Sequence, residues 1–244
     1  MMSKKIVLSI ILSFAVLFSA SVCSLSQNIT LDDLLLKLQT NKSKIADMYS
    51  EMTTTITGSG KMATGSGMGN TQKAKMWTKG DDKSKIEMLE PIKQTTIRNG
   101  AKMVIIDEGT GQKIVKDLSA DKSGMSSYNQ GNMDFEKIKT LFDLSVRTDG
   151  GFYVITCTPK QKSFLGKMEI YVDHEKYLSS KILVYDKNNK LMNQTDIEYK
   201  DISGVSVPVK MLSSIDSPVG KMKIEIEYSN IKVNQGMGDS EFKI

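Results

Sequence analysis

Strict alternation of side-chain character constrains this chain more than any other feature. Met222, Ile224, Ile226 and Tyr228 interleave with Lys223, Glu225 and Glu227, and Lys221 extends the charged series by one. Successive strand side chains point to opposite faces, so such a segment has one dry face and one wet one. Met168, Ile170 and Val172 alternate with Glu169, Tyr171 and Asp173 in the same way. Upstream, Ala74 and Met76 sit among Lys73, Lys75 and Lys79, and Ile86 and Met88 flank Glu87. A chain built from such segments makes antiparallel sheet with one face on an apolar interior.

The first residues stand apart from this pattern. Lys4 and Lys5 precede an apolar run, Ile6 to Phe18, and the small residues Ser19, Ala20, Ser21, Ser24 and Ser26 follow. This is the pattern of a secretory leader over residues 1–26, with an apolar run too short for a stable membrane span. One sheet-rich domain is then expected over 27–244, long enough for a substantial core. Cys23 raises the question of lipid attachment, for which Val22 is a poor preceding residue; a lipidated Cys23 would make the chain an outer-membrane lipoprotein. If Cys23 leaves with the leader, Cys157 is alone, at an alternating position that suits a small buried hydrophobe. The fold therefore does not depend on disulfides. Loss of Lys4 and Lys5 lowers the formal charge from +5 to +3, with both signs interspersed. That is a solvated surface and not a nucleic-acid patch.

Thr30 reads as a helix cap, with Asp33 in capping-box position. Leu31, Leu34, Leu35, Leu38, Ile45 and Met48 then keep helical spacing, predicting an amphipathic helix over about 30–48. Tyr49–Thr57 turns to strand chemistry, and 58–70 is a Gly/Ser/Met connection. Strands follow at 73–79 and 83–89 around Gly80-Asp81-Asp82, and at 94–98 and 103–107 around Asn99-Gly100, a strong hairpin signal. Another short strand is expected at 112–116. The polar stretch 119–132 lacks apolar periodicity, and Phe135, Ile138, Leu141 and Phe142 mark a second helix at about 133–143. Strands resume at 152–158, 167–173, 180–186, 191–199, 206–215 and 221–233. Their short turns favour antiparallel neighbours. The expected fold is mainly β with two α-helices: an incomplete, strongly curved antiparallel barrel of ten or eleven strands, with the helices covering its concave face.

Catalytic chemistry is not visible. His174 is the only histidine and reads as an exposed turn residue in Asp173-His174-Glu175-Lys176, without partners for a triad or a zinc site. Gly58-Ser59-Gly60 lacks the strand-to-helix turn of a nucleophile elbow. Gly65, Gly67 and Gly69 lack the helix and the lysine-serine ending of a phosphate loop. The paired carboxylates Asp81-Asp82 and Asp107-Glu108 sit in turns. The sequence therefore points away from an enzyme and implies no cofactor or metal.

The inward strand positions are rich in methionine, an adaptable side chain suited to ligands of varied shape. Met76, Ile86, Met88, Met103, Ile170, Val172, Ile224 and Ile226 are the expected wall of a hydrophobic cavity for hydrocarbon. Leu34, Leu35, Leu38, Phe135, Ile138 and Phe142 are the expected lid residues. Ordinary core filling is the competing explanation for the same positions.

Several segments resemble the LolA-like family of outer-membrane lipoprotein carriers. They are Met168–Asp173 with Tyr177–Ile182, Tyr199–Pro208, Ile231–Gly236 with Asp239–Phe242, and Ile97–Gly100 with Met103–Asp107. The resemblance implies a monomeric periplasmic carrier that shelters acyl chains of lipoproteins, or other lipid, between an inner-membrane release complex and an outer-membrane acceptor. The related fold also serves non-carrier modules: an anchored LolB-like receptor, or an RseB-like sensor of lipid or lipoprotein. Carriers of this kind use an arginine on an early strand to control the lid. Lys75, Lys79 and Lys85 occupy that region here, and lysine lacks arginine's fork of donors.

Overall fold

The computed structural model describes residues 29–58, 71–119, 135–217 and 220–244. The expected leader with Cys23, the connection at 59–70 and most of the polar stretch at 119–132 lie outside the described residues. So does the side chain of the expected lid residue Phe135. The first half of the chain forms β1 (Asp47–Gly58), β2 (Thr71–Lys79), β3 (Lys83–Glu90), β4 (Gln94–Asn99), β5 (Lys102–Asp107) and β6 (Lys113–Asp117). The second half forms β7 (Phe142–Asp149), β8 (Phe152–Pro159), β9 (Leu165–Asp173), β10 (Ser179–Asp186), β11 (Leu191–Ile202), β12 (Val205–Ser217) and β13 (Gly220–Val233).

All the strands belong to one antiparallel sheet, in the order β6-β5-β4-β3-β2-β1-β13-β12-β11-β10-β9-β8-β7. The chain steps outward from β1 to one edge at β6, resumes at the opposite edge with β7, and steps back until β13 lies against β1. The sheet is an incomplete curved barrel that does not close. Its thirteen strands exceed the expected ten or eleven, and β7 was not anticipated at all. Phe142 continues the helical spacing of Ile138 and Leu141, but it opens β7, pairing with Pro159. Its assignment to the lid helix is corrected: Phe142, Leu144 and Val146 alternate with Asp143, Ser145 and Arg147 in a strand.

Helix α1 spans Leu31–Ser43. The Thr30 hydroxyl accepts from the Asp33 N–H at 3.1 Å and donates to the Asp33 carboxylate at 2.6 Å, so the cap forms as the sequence implies. The helix stops earlier than expected. The Asn41 amide donates to the Lys176 and Tyr177 carbonyls at 2.7 and 3.0 Å, drawing the last turn onto the β9–β10 connection. Ile45 and Met48 leave the helix and pack instead on Val205, Val207 and Val233. Helix α2 covers Phe135–Leu141.

Two glycines set local geometry. Asn99 pairs with Lys102, so the β4–β5 loop is Gly100-Ala101, one residue later than expected. Gly100 at φ +60° supplies the left-handed first position of a type II′ hairpin. At Gly166 a Cβ would lie 2.1 Å from the Asp186 carbonyl oxygen, so only glycine lets β9 and β10 approach there.

Beyond β13 the chain turns back beneath the barrel. The buried Asp47 carboxylate accepts the N–H groups of Gln235, Gly236 and Met237 at 2.9, 3.0 and 3.2 Å. A short 3₁₀ turn, Asp239–Phe242, then lies on β3 and β4 and buries Phe242 completely.

Candidate functional site

Strand register sorts the side chains of the whole sheet into two faces. On the face bearing α1, here the inner face, Leu34 and Leu35 are buried against Tyr153, Ile155 and Cys157 of β8 and Met168, Ile170 and Val172 of β9. Leu38, Ile138, Phe142, Ile182 and Val184 pack against this cluster. Continuing the same face across the ladders brings in Thr195, Ser213, Ile224, Thr54, Gln72, Met76, Ile86, Thr96 and Ile105. Among the described residues, its paired positions on β1–β3 and β7–β13 carry no Asp, Glu, Lys, Arg or His except at two strand ends, Asp186 on β10 and Asp201 on β11. An uncharged surface of this extent admits hydrocarbon without the cost of desolvating ions.

All eight residues expected in the cavity wall lie on this one face, but in two different settings. Ile170 and Val172 are wholly buried beneath α1 and belong to packed core. Met76, Ile86, Met88, Met103, Ile224 and Ile226 are only part-buried and lie outside both packed clusters. The helices therefore cover one half of the face and leave the other uncovered by them. Between the halves runs a polar seam, in which Thr195 and Ser213 hydrogen-bond at 3.1 Å and Ser213 donates to Asn193 at 2.9 Å. On the uncovered half Tyr228 donates to the Met211 sulfur at 3.6 Å, and burial pushes its phenol up. Burial likewise pushes Tyr199 up to about 12, and its hydroxyl donates to the Ser179 carbonyl at 3.1 Å. The Ser50 hydroxyl is buried on this face with no hydrogen-bond partner.

Lys75, Lys79 and Lys85, with Lys83 beside them, sit on the opposite, outer face. Lys75 pairs across the ladders with Glu51 and Glu87. Lys79 and Lys83 bind Asp239 at 2.7 and 2.9 Å. Lys85 binds Glu87 and Glu241 at 2.8 and 3.6 Å and lies 4.8 Å from the Trp77 ring centre. They hold the C-terminal turn and the outer surface, and none faces the uncharged interior. The early-strand arginine on the inner face is Arg98, in register with Ser84 and Met103, its Nε donating to the Gly100 carbonyl at 3.2 Å.

Cys157 is buried, as expected, and burial pushes its thiol up to about 12. His174 differs from expectation: it is part-buried, its ring 4.0 Å from that of Tyr153, with Nε2 enclosed and unpartnered. The Tyr153 ring attracts it out of solvent. No group of three or more His, Cys, Asp or Glu among the described residues is placed to hold a metal. A cleft of about 1160 Å³, unforeseen in the sequence, opens beside α1 between Leu36, Lys37 and Tyr177. Lys37 lies 4.5 Å over the Tyr177 ring there. Tyr177 takes φ +51° in this turn.

Residues 116–244 match the model of a family described as "Uncharacterized protein". The chain belongs to that family. A comparison with curated proteins finds no match. Among solved structures, a DUF1329 family protein from Desulfovibrio piger superposes with a TM-score of 0.61 at 18% identity, over 86% of this chain and 95% of that one. A LolA superfamily protein from Nitrosomonas europaea superposes with a TM-score of 0.59 at 14% identity, over 88% and 98%. A domain from Vibrio parahaemolyticus described as an outer membrane lipoprotein-sorting protein gives 0.61 at 15%, over 86% and 95%. The fold of this family member is thus LolA-like along nearly its whole described length.

Proposed function

We propose that the protein carries the acyl chains of lipoproteins, or other lipids, on the uncovered half of its inner face, in the space beyond the inner membrane. The observation that carries this reading is the uncharged face itself. Met76, Ile86, Met88, Ile224 and Ile226 lie in register on it, part-buried and outside the packed core. Each methylene sheltered there contributes about 0.8 kcal/mol, so one acyl chain is held tightly enough to travel and loosely enough to be handed on. Methionine adapts the wall to chains of different length. The likeness to a lipoprotein-sorting domain supports the reading at the level of fold. Fold alone does not assign a role.

Native mass spectrometry of the protein purified from its own envelope tests it. Co-purifying acylated peptides or lipids are expected. A stoichiometric protein partner with no lipid would instead favour a sensor or receptor.

A further inference from the structure

The two ends of the barrel differ in chemistry. Call the near end the one where α1 delivers the chain into β1, at Asp47; the far end is where β1 finishes at Gly58, opposite Met222. Alternating strand direction then places the β3–β4, β8–β9 and β10–β11 turns at the far end, with the start of β7. Five exposed large hydrophobic residues lie along that end: Leu89 (39%), Ile92 (50%), Leu141 (40%), Phe164 (74%) and Leu191 (39%). The described near-end turns carry none, although Phe152 starts β8 there and Ile244 (53%) follows the docked C-terminal turn, and they hold Asp81, Asp82, Glu175, Lys176 and Asp201 instead.

Cations accompany these apolar tips. Lys162 precedes Phe164, and Lys187 and Lys190 sit in the adjoining turn, bound to it by the Lys187 N–H donating to the Phe164 carbonyl at 3.1 Å. Phe164, Lys187, Lys190 and Met192 line one cleft of about 410 Å³. The nearby carboxylates are already engaged. Asp216 lies 3.6 and 3.4 Å from Lys190 and Lys221, and Asp186 accepts the backbone N–H groups of Asn188 and Lys190, both at 2.8 Å.

Exposed aromatic and aliphatic side chains at one end, with lysines gathered around Phe164 and Leu191, fit the interface of an anionic bilayer. The rings and branched chains enter the acyl boundary while the ammonium groups meet phosphates. A protein partner would more often present one continuous apolar patch than separate tips spaced along a rim. We propose that the far end of the barrel docks on an anionic lipid bilayer, with Phe164 as its deepest residue. This docking does not require that the inner face carry lipid.

The test uses the exported protein with vesicles of phosphatidylcholine alone or mixed with phosphatidylglycerol. Trp77, the sole tryptophan, lies toward the near end on the outer face and serves as an internal control. Wild type is expected to float with the mixed vesicles, with Trp77 emission untouched by brominated lipid. Phe164→Trp should add a blue-shifted emission that brominated lipid quenches. Phe164→Ser should lower partitioning about tenfold, and Lys162→Gln or Lys187→Gln about fivefold each. Absence of flotation, quenching of Trp77, or full partitioning of the Phe164→Ser and lysine variants would overturn the proposal. Vesicle docking by a protein that binds neither fatty acid nor acylated peptide would overturn the carrier reading alone.

Discussion

Side chains of one type have different consequences according to which half of the inner face they occupy. Ile170 is wholly enclosed beneath α1, whereas Ile224 is part-buried away from it. Ile170→Ala should therefore cost about 2–5 kcal/mol in urea denaturation, because the cavity left beneath the helix cannot collapse. Ile224→Thr and Met88→Gln should lower the melting temperature only modestly while weakening binding of a fluorescent fatty acid. Equal destabilisation by all three, with no fatty-acid binding in wild type, would make the open half ordinary core. Cys157 gives a second residue-scale expectation. The thiolate is the reactive species, and burial holds the thiol near 12. Iodoacetamide at mildly alkaline pH should leave the folded protein unmodified and label it fully once denatured.

At the scale of elements, the C-terminal turn is fastened from both sides of its approach. Asp47 gathers three N–H groups, and Asp239 sits between Lys79 and Lys83, which hold its carboxyl well down, at about 2 against an ordinary 3.8. A carboxyl depressed on folding adds stability that is fully present above its unfolded value and is lost as pH falls through its folded one. Docking of the turn should therefore loosen between about pH 4 and pH 2, and salt should weaken it. Hydrogen exchange at the Phe242 and Lys243 amides measures this, and Asp239→Asn should abolish the pH dependence. Little of this was legible in the sequence, since residues 234–244 have no periodicity and their docking is tertiary. Strands such as β9 and β13 were legible because apolar and polar residues alternate along them, and β11 and β12 because short turns bound them. The missed β7 shows where such reading fails: Phe142 satisfies helical and strand spacing at once, and its neighbours decide. The lysine question was answerable from parity alone, because Lys75 and Lys79 are odd steps along the pleat from Ala74 and so face the other way. The split of the cavity wall into covered and uncovered halves was not, because no local pattern says where α1 lies.

For the whole molecule, strand order matters more than any single contact. The pairing of β1 with β13 sets Met48 against Val233 and Gly58 against Met222, joining the first strand to the last. All other ladders link sequence neighbours. Two meanders, β1–β6 and β7–β12, can thus form early from local contacts, while the seam that unites them has the greatest sequence separation and closes late. A chain ending before Gly220 is expected to keep strand signal in circular dichroism and lose a single sharp thermal transition. In a protein made from one end, such a seam acts as a timer. The first strand cannot lock its partner in place until synthesis has delivered β13, so the polypeptide stays pliant for as long as that strand is still to be made.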